Sequence, residues 1–474
     1  MPNDPEIPSQ SPRRHESLHL VWAILLVVLL APMVVWFVWG RIEAARLDRA
    51  LDALGASGAP LDIEEFALKP ATPEQHEASH LYGQAARLVG DGVRVRLDGV
   101  AKAIQELCEF PRSGVSRREP VATLQAFEDP YKAALELLDR ASRLDSAGWD
   151  DADRPKRFSM EEGRPGNLGM VNAVRIARLA CTGNGEPAAA ALLSTLRLHR
   201  VVAASYPRLL PSQTAHSLQS LLTFSSVNPA LLQSIQQEYE TAADGQALEK
   251  QMLYSRAFWL YFSMPGVFSD PPAGFEGRRI TPFEGIARRL TRPLRDRAML
   301  AELREFDEVA QTAKQPWPAR LDAAAALAKK FPNMQSQSRR RGLLEVLTRP
   351  LGSQSATASL ASAIARDAES LATARASVGA VAVARYRRAH DGVLPTTLQE
   401  LIPQYMSAPL IDPYSGVDLK YVREGTAYKV YSVGINRQDD GGRWEQNPDL
   451  QLPRRGNPPD IGISVGAWPA AGRQ

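Results

Sequence analysis

His76, Glu77 and His80 form the sharpest chemical pattern in the sequence, His-Glu-x-x-His. Positions four apart on a helix share a face, as two zinc ligands must, and the glutamate between them could polarise a metal-bound water as a general base. Taken literally, this is the core of a membrane-bound zinc metallopeptidase, with His76 and His80 as ligands and Glu77 as the catalytic base. Gly83 fits the extended form of the motif, but its third ligand would fall at Ala86, whose methyl group binds no metal. Glu106 or Glu109 would then have to supply it. The setting argues against this chemistry. Thr72-Pro73-Glu74-Gln75 has the composition of a capped helix start, which puts the motif in the first turns of a helix rather than in a long buried one. An exposed polar helix start is the preferred reading.

Gly462-Ile463-Ser464-Val465-Gly466 fits the GxSxG of a nucleophile elbow. That device needs an acid and a histidine later in the chain, and the stretch after Gly466 holds no Asp, Glu or His, so the reading is rejected. The sequence has no CxxC pair, no phosphate-binding GxxxxGK[ST] and no GxGxxG after a strand. His15, His19, His199, His216 and His390 are scattered and read as structural or exposed. Cys108 and Cys181 make no disulfide framework and read as small buried apolar residues rather than a pair.

These candidates must be carried by a long chain. At 474 residues two or three folded units are expected. A net charge of +3 on that length names no charged partner. Arginines gather in Arg278–Arg304 and again at Arg339-Arg340-Arg341. No nucleic-acid-binding motif accompanies them, so they read as solvated helix faces and nucleic acid is not an expected partner. Leu20–Trp39 is twenty residues without a charge, spanning about 30 Å as a helix, the thickness of a bilayer core. Trp22, Trp36 and Trp39 lie near its ends, where indoles favour the interface. The run is too long for a signal peptide and ends in bulky residues, so it reads as an uncleaved anchor. Arg13 and Arg14 before it balance Arg41, Arg46 and Arg49 after it, and charge alone gives no orientation.

Beyond the anchor, the pattern is helical. Leu124, Phe127, Tyr131, Leu135 and Leu138 step by three or four, as do Met170, Val174, Ala177 and Cys181. Gly183-Asn184-Gly185 breaks the run before Ala191, Leu192, Thr195, Leu198 and Val202 resume it. This pair resembles one unit of a tetratricopeptide-type repeat, but no period recurs, and a compact antiparallel helical domain is expected. Met252–Phe268, rich in aromatics, reads as a core helix too short to span a bilayer. Ala358–His390 then reads as one long small-residue helix stopped by Asp391-Gly392. A short helix over Thr397–Tyr405 follows, and a hairpin turning at Glu424-Gly425-Thr426 completes a small α+β unit.

The fold class is therefore mainly α, with an N-terminal transmembrane helix, an antiparallel helical middle domain and a small C-terminal α+β domain. The expected segments are a disordered tail over 1–17, an anchor over 18–40, a helical domain over 41–350 and the long helix with its sheet over 351–474.

The C-terminal signals also occur in an order that resembles the major pseudopilin of type II secretion systems. They run as a long helix, Leu394-Pro395-Thr396-Thr397-Leu398, Asp412-Pro413-Tyr414, a tyrosine-containing hairpin, Ser432-Val433-Gly434, an acidic loop with Gly441-Gly442, and Pro459-Asp460-Ile461. The resemblance covers roughly the last quarter of the chain. It implies a periplasmic globular end, a cytoplasmic N-terminus and a loop that binds calcium, with Asp439, Asp440 and Asp460 as candidate ligands and Asn436 where the family tends to have an aspartate. Two departures separate the chain from a pilin subunit. A long helical region intervenes between anchor and globular end, and His15-Glu16-Ser17-Leu18-His19 replaces the family's processing site. As a whole, the layout is similar to bacterial proteins with an inner-membrane anchor over 18–40, a helical middle and a pseudopilin-like end. It implies a non-enzymatic binding or scaffold role among envelope or secretion proteins.

Overall fold

The computed structural model describes residues 13–62, 65, 72–90, 93, 99–113, 118–146, 163–205, 212–244, 247–263, 290–330, 356–443 and 460–466. Outside them lie the first twelve residues of the expected tail, Trp149, residues 264–268 of the aromatic segment, Arg278, Arg279, Arg288 and Arg289 of the first arginine cluster, Arg339-Arg340-Arg341 and Pro459.

The protein is mainly helical, with one long apolar helix near its N-terminus and a small three-stranded antiparallel sheet near its C-terminus. The described residues fall into two compact units. The first is built on α1 (Arg13–Ala56), which begins inside the expected tail because no glycine or proline follows Pro12 before the apolar run. Within Val21–Ala56 the most apolar stretch has a mean hydropathy of 2.8 and none of it is buried, so α1 is long and apolar enough to cross a membrane. Pro32 lies inside the helix, and Gly58 takes a left-handed φ of 71° just beyond its end. The N-terminal part of α11 (Arg292–Ala313) belongs to the same unit. There the Trp36 indole donates to the carbonyl of Leu290 at 3.0 Å, and Gly40 leaves room for Pro293.

The second unit takes in the remaining elements. α2 (Pro73–Val89) starts where the cap signature places it, since Thr72 accepts from the Gln75 N–H at 3.2 Å. α3 (Val100–Ser113), α4 (Arg118–Glu128) and α5 (Lys132–Ala141) follow, then α6 (Gly163–Cys181) and α7 (Gly185–Ser205) across the tight Gly183 turn. Leu124, Phe127, Tyr131, Leu135 and Leu138 are all buried in one apolar cluster with Met170, Val174 and Cys181, as their spacing requires. α8 (Ser212–Phe224), α9 (Pro229–Ala242) and α10 (Ala247–Ser263) continue the helical stack. Trp259 of α10 is buried beside Phe306, with ring centroids 5.6 Å apart.

α12 (Ala319–Lys330) and α13 (Ala356–Ala389) lead to the sheet. β1 (Lys420–Glu424), β2 (Ala427–Ser432) and β3 (Ile461–Val465) pair antiparallel in that order, in the register Lys420 to Tyr431 and Tyr428 to Val465. Between helix and sheet only a 3₁₀ turn, Leu398–Leu401, forms where a helix was expected over Thr397–Tyr405. Pro403 accounts for this: Ile402 before it is extended, as the proline ring demands, and only an isolated turn follows, with Tyr405 and Met406 donating to the Leu401 carbonyl at 2.7 and 3.0 Å.

Residues of α6 to α9, α13 and the sheet share one apolar cluster, so among the described residues the C-terminal helix and sheet share a core with the helices before them. The sheet comes close to α13 because that helix is faced with alanine. A Cβ placed on Gly379 would lie 2.9 Å from Val430 Cγ1 and 3.1 Å from Leu410 Cδ1. Gly379→Val is expected to destabilise the chain by about 1–3 kcal/mol through overpacking, read as a lowered thermal midpoint of the detergent-solubilised protein. An unchanged midpoint would mean that the sheet does not seat there.

Candidate functional site

The His-Glu-x-x-His residues lie on the first turns of α2, and His76, Glu77 and His80 are all exposed. His76 Nδ1 is 2.9 Å from the Thr72 carbonyl, and His80 Nε2 is 2.8 Å from the Gln84 amide nitrogen. The Glu77 carboxylate is bound by the Arg140 guanidinium of α5. A carboxylate committed to an arginine is a poor base for a water, and each histidine already has a local partner. Glu106, a possible third ligand, pairs with Lys102 at 3.6 Å. The Glu109 side chain lies outside the described residues. This donor set does not fit a zinc centre. Ser464 of the GxSxG sits within β3, opposite Lys429 of β2, so no strand–turn–helix elbow carries it.

The acidic loop is the denser constellation. In the register of the sheet, Lys420, Lys429 and Tyr431 share one face, opposite the face that Tyr428 and Val430 turn to α13. The loop from Gly434 to Arg443 lies against that outer face. Tyr431 donates its hydroxyl to Asp439 Oδ1 at 2.9 Å, and Lys420 Nζ approaches Asp439 Oδ2 at 3.6 Å. Lys429 Nζ donates to the Gly442 carbonyl at 3.0 Å. Asp440 accepts from the Asn436 amide at 2.8 Å. Asp460, wholly buried, accepts from the backbone N–H groups of Gly442 and Arg443 at 2.8 and 3.2 Å. Gly442 has to be glycine here, since its φ is 67° and a Cβ would meet Lys429 Cδ at 2.8 Å.

The electrostatics follow these contacts. Burial pushes the Asp439 carboxyl up, but the Gly441 N–H, the Tyr431 hydroxyl and Lys420 together hold it below the usual carboxylate range. Burial pushes Asp460 up against the pull of its backbone donors. A calcium cage needs six to eight oxygens converging on one point. Here the carboxylates are divided among a lysine, a tyrosine, an asparagine and backbone amides. Among the described residues no three His, Cys, Asp or Glu side chains are placed to hold a metal ion. In this arrangement Asp439 and Asp440 are engaged by protein groups and Asp460 by one of its two oxygens, Oδ1 being buried without a partner among the described residues, and the loop is tied to the sheet by its own side chains.

The turn before the sheet is organised in the same way. Asp412 is 1% exposed and accepts from Tyr414 N, Ser415 Oγ, Ser432 Oγ and Val433 N at 2.7–3.1 Å. The Asp-Pro-Tyr signal is thus a buried knot joining the turn to the end of β2. Compared with known proteins, the chain matches no family model, no curated sequence and no solved structure.

Two features escaped the sequence reading. One is α12, which clasps the C-terminal unit. Trp317 and Leu321 pack on Ala368, Ala372, Tyr414 and Val433, while Arg437 of the loop pairs with Asp322 at 2.7 Å. Arg320, its guanidinium 4.5 Å above the Trp317 ring, lies 3.8 Å from the buried Asp367 of α13. Nothing local in the sequence links these residues. The other is the pair Arg387 and Arg388 at the end of α13. Their adjacency was visible, but their surroundings come from α8.

Burial pushes the Asp367 carboxyl up to about 7, against the pull of Arg320 and Arg375. The fold thus favours neutral Asp367. Its contribution is complete below the unfolded value of about 4 and is lost as pH rises through the folded one. The thermal midpoint of the solubilised chain is expected to fall as pH is raised from about 5 to about 8, and Asp367→Asn to flatten that slope. An equal slope in the variant would show that Asp367 ionises as in water.

Proposed function

We propose that the chain is a single-pass protein of a bacterial inner membrane, with its N-terminus in the cytoplasm and its folded part in the periplasm. There it binds or scaffolds other envelope proteins and carries out no reaction of its own. The observation that carries this reading is α1, whose apolar stretch is long enough to cross a bilayer and is unburied. Large side chains such as Leu29, Phe37 and Val35 are about two-thirds bare, an arrangement that lipid would cover and water would oppose.

The C-terminal end supports a pseudopilin-like module. A long helix lies against a three-stranded antiparallel sheet, with the Asp-Pro-Tyr turn and the acidic loop in the expected order. That module is placed here on a helical body rather than directly on the membrane helix, which favours a partner-binding protein over a polymerising subunit. The residue patterns that suggested catalysis are engaged in other contacts: Glu77 with Arg140, and Ser464 in the sheet. The partners are proposed to be components of a type II secretion-like or other envelope assembly.

Crosslinking the full chain at native level in cells, then recovering it and identifying attached proteins, tests this reading. A reproducible set of envelope or secretion components is expected. Recovery of no envelope protein, with no growth or secretion defect on deleting the whole chain, would overturn it.

A further inference from the structure

The last turn of α13 and the C-terminal end of α8 meet at an open cleft of about 480 Å³. Arg387, Arg388, Thr223, Ser225, Ser226 and Gly392 are among the residues that line it. The two guanidiniums find only neutral partners among the described residues. Arg387 donates to the Thr426 carbonyl at a long 3.4 Å and lies 6.0 Å from the centre of the Tyr428 ring. Arg388 donates to Ser226 Oγ at 2.6 Å. No described carboxylate, the neighbouring Asp391 included, is paired with either. Glu186 exerts some attraction on Arg388, but its oxygens accept from the backbone and side-chain nitrogens of Asn228 at 2.6 and 3.3 Å. A guanidinium has five N–H donors, so most of the ten remain for a ligand.

The hydroxyls point the same way. Thr223 Oγ1 accepts from the Gly466 N–H at 3.2 Å, and Ser226 Oγ accepts from Arg388. Each accepts one bond and keeps an O–H to donate. Only Ser225 spends its proton elsewhere, on the Ala180 carbonyl at 2.8 Å. The cleft therefore presents donors and positive charge together. Loss of water around Arg388 and repulsion from Arg387 both pull its guanidinium below the usual value. An anion between the two would relieve that repulsion. The negative end of the helix accounts for arginines in the last turn of α13. It does not account for their sharing a cleft with the hydroxyls of Thr223, on α8, and Ser226, in the turn after it.

We propose that this cleft binds a phosphate group, held by Arg387 and Arg388 and oriented by the hydroxyls of Thr223 and Ser226. A tetrahedral dianion offers acceptors in several directions, matching two guanidiniums and two hydroxyls better than a planar carboxylate does. The group could belong to a soluble phosphate ester or to an anionic phospholipid headgroup.

Calorimetric titration of inorganic phosphate into the full chain, in a maltoside detergent with chloride buffer, tests the site. Saturable binding is expected, weakened about tenfold or more in Arg388→Gln and further in the double Arg387→Gln, Arg388→Gln variant. Ser226→Ala should weaken it less, and Arg388→Lys should retain most of it, with thermal midpoints reported for all variants. Should the double variant not fold, the contrast between Arg388→Gln and Arg388→Lys decides. No saturable binding by the unaltered chain, or equal binding by Arg388→Gln, would overturn the proposal. Repeating the titration in nanodiscs of phosphatidylcholine with and without phosphatidylglycerol separates the two sources. Competition by the anionic lipid supports the site with a headgroup as ligand; undiminished phosphate binding supports it with a soluble ester.

Discussion

The close approach of α13 to β2, at Gly379 and Val430, is the contact on which the larger folded unit depends. Only a helix faced with alanine and glycine lets a sheet come this near, and α13 keeps that face along most of its length, with Ala368, Ala372, Ala376, Ala380 and Ala382 all fully buried. Tyr428 reinforces the approach by donating its hydroxyl to the Ala380 carbonyl at 2.8 Å, a bond that crosses from sheet to helix inside the core. The same helix meets α8, α9 and α12 on its other sides. Gln236 of α9 shows how tightly these layers are joined. Its amide nitrogen donates to the Tyr405 carbonyl at 2.7 Å, and its oxygen accepts from Arg385 of α13 at 2.8 Å. The sheet is too small to stand alone and is stable because it shares its core with the helices.

Around that core the C-terminal end is held by polar groups that leave little to a ligand. Asp412 satisfies the turn before β1, Asp460 closes the loop onto β3, and Lys420, Lys429 and Tyr431 bind the loop from the outer face of the sheet. Each of these replaces a water-facing backbone or carboxylate group by an internal bond, and their joint effect is a fixed surface. A fixed surface assembled from several elements suits recognition. The donor-rich cleft beside Arg388 is part of the same construction, since its hydroxyl-bearing residues belong to α8 and the turn after it, while its charges belong to α13.

Much of this was legible from local pattern. The Leu124 to Leu138 stripe, the Thr72 cap, the uncharged N-terminal run and the long alanine-rich helix are all set by periodicity and turn chemistry acting over a few residues, which one sequence reveals. The third strand was not legible, because Ile461–Val465 is separated from β2 by a long insertion and its pairing depends on contacts distant in sequence. The short helix expected after Thr397 is cut to a single 3₁₀ turn for a local reason, Pro403. At the candidate sites the difficulty was different. Residue types suggest what a side chain could bind, but only the fold decides what it binds first. Glu77 had Arg140 waiting on another helix, and Asp439 had Lys420 and Tyr431 across a hairpin.

The proposed function joins α1 to the rest of the chain: a helix long and apolar enough to cross a bilayer would hold a partner-binding body outside the cytoplasm. Neither the balanced arginines around α1 nor the fold itself sets the direction of crossing, so the claim turns on topology. The most direct measurement is the activity of paired reporters fused after Gln474, one active only in the periplasm and one fluorescent only in the cytoplasm. High activity of the periplasmic reporter with a dark cytoplasmic one is the expected result. The reverse pattern would contradict the proposed compartment and with it the proposed likeness to secretion proteins.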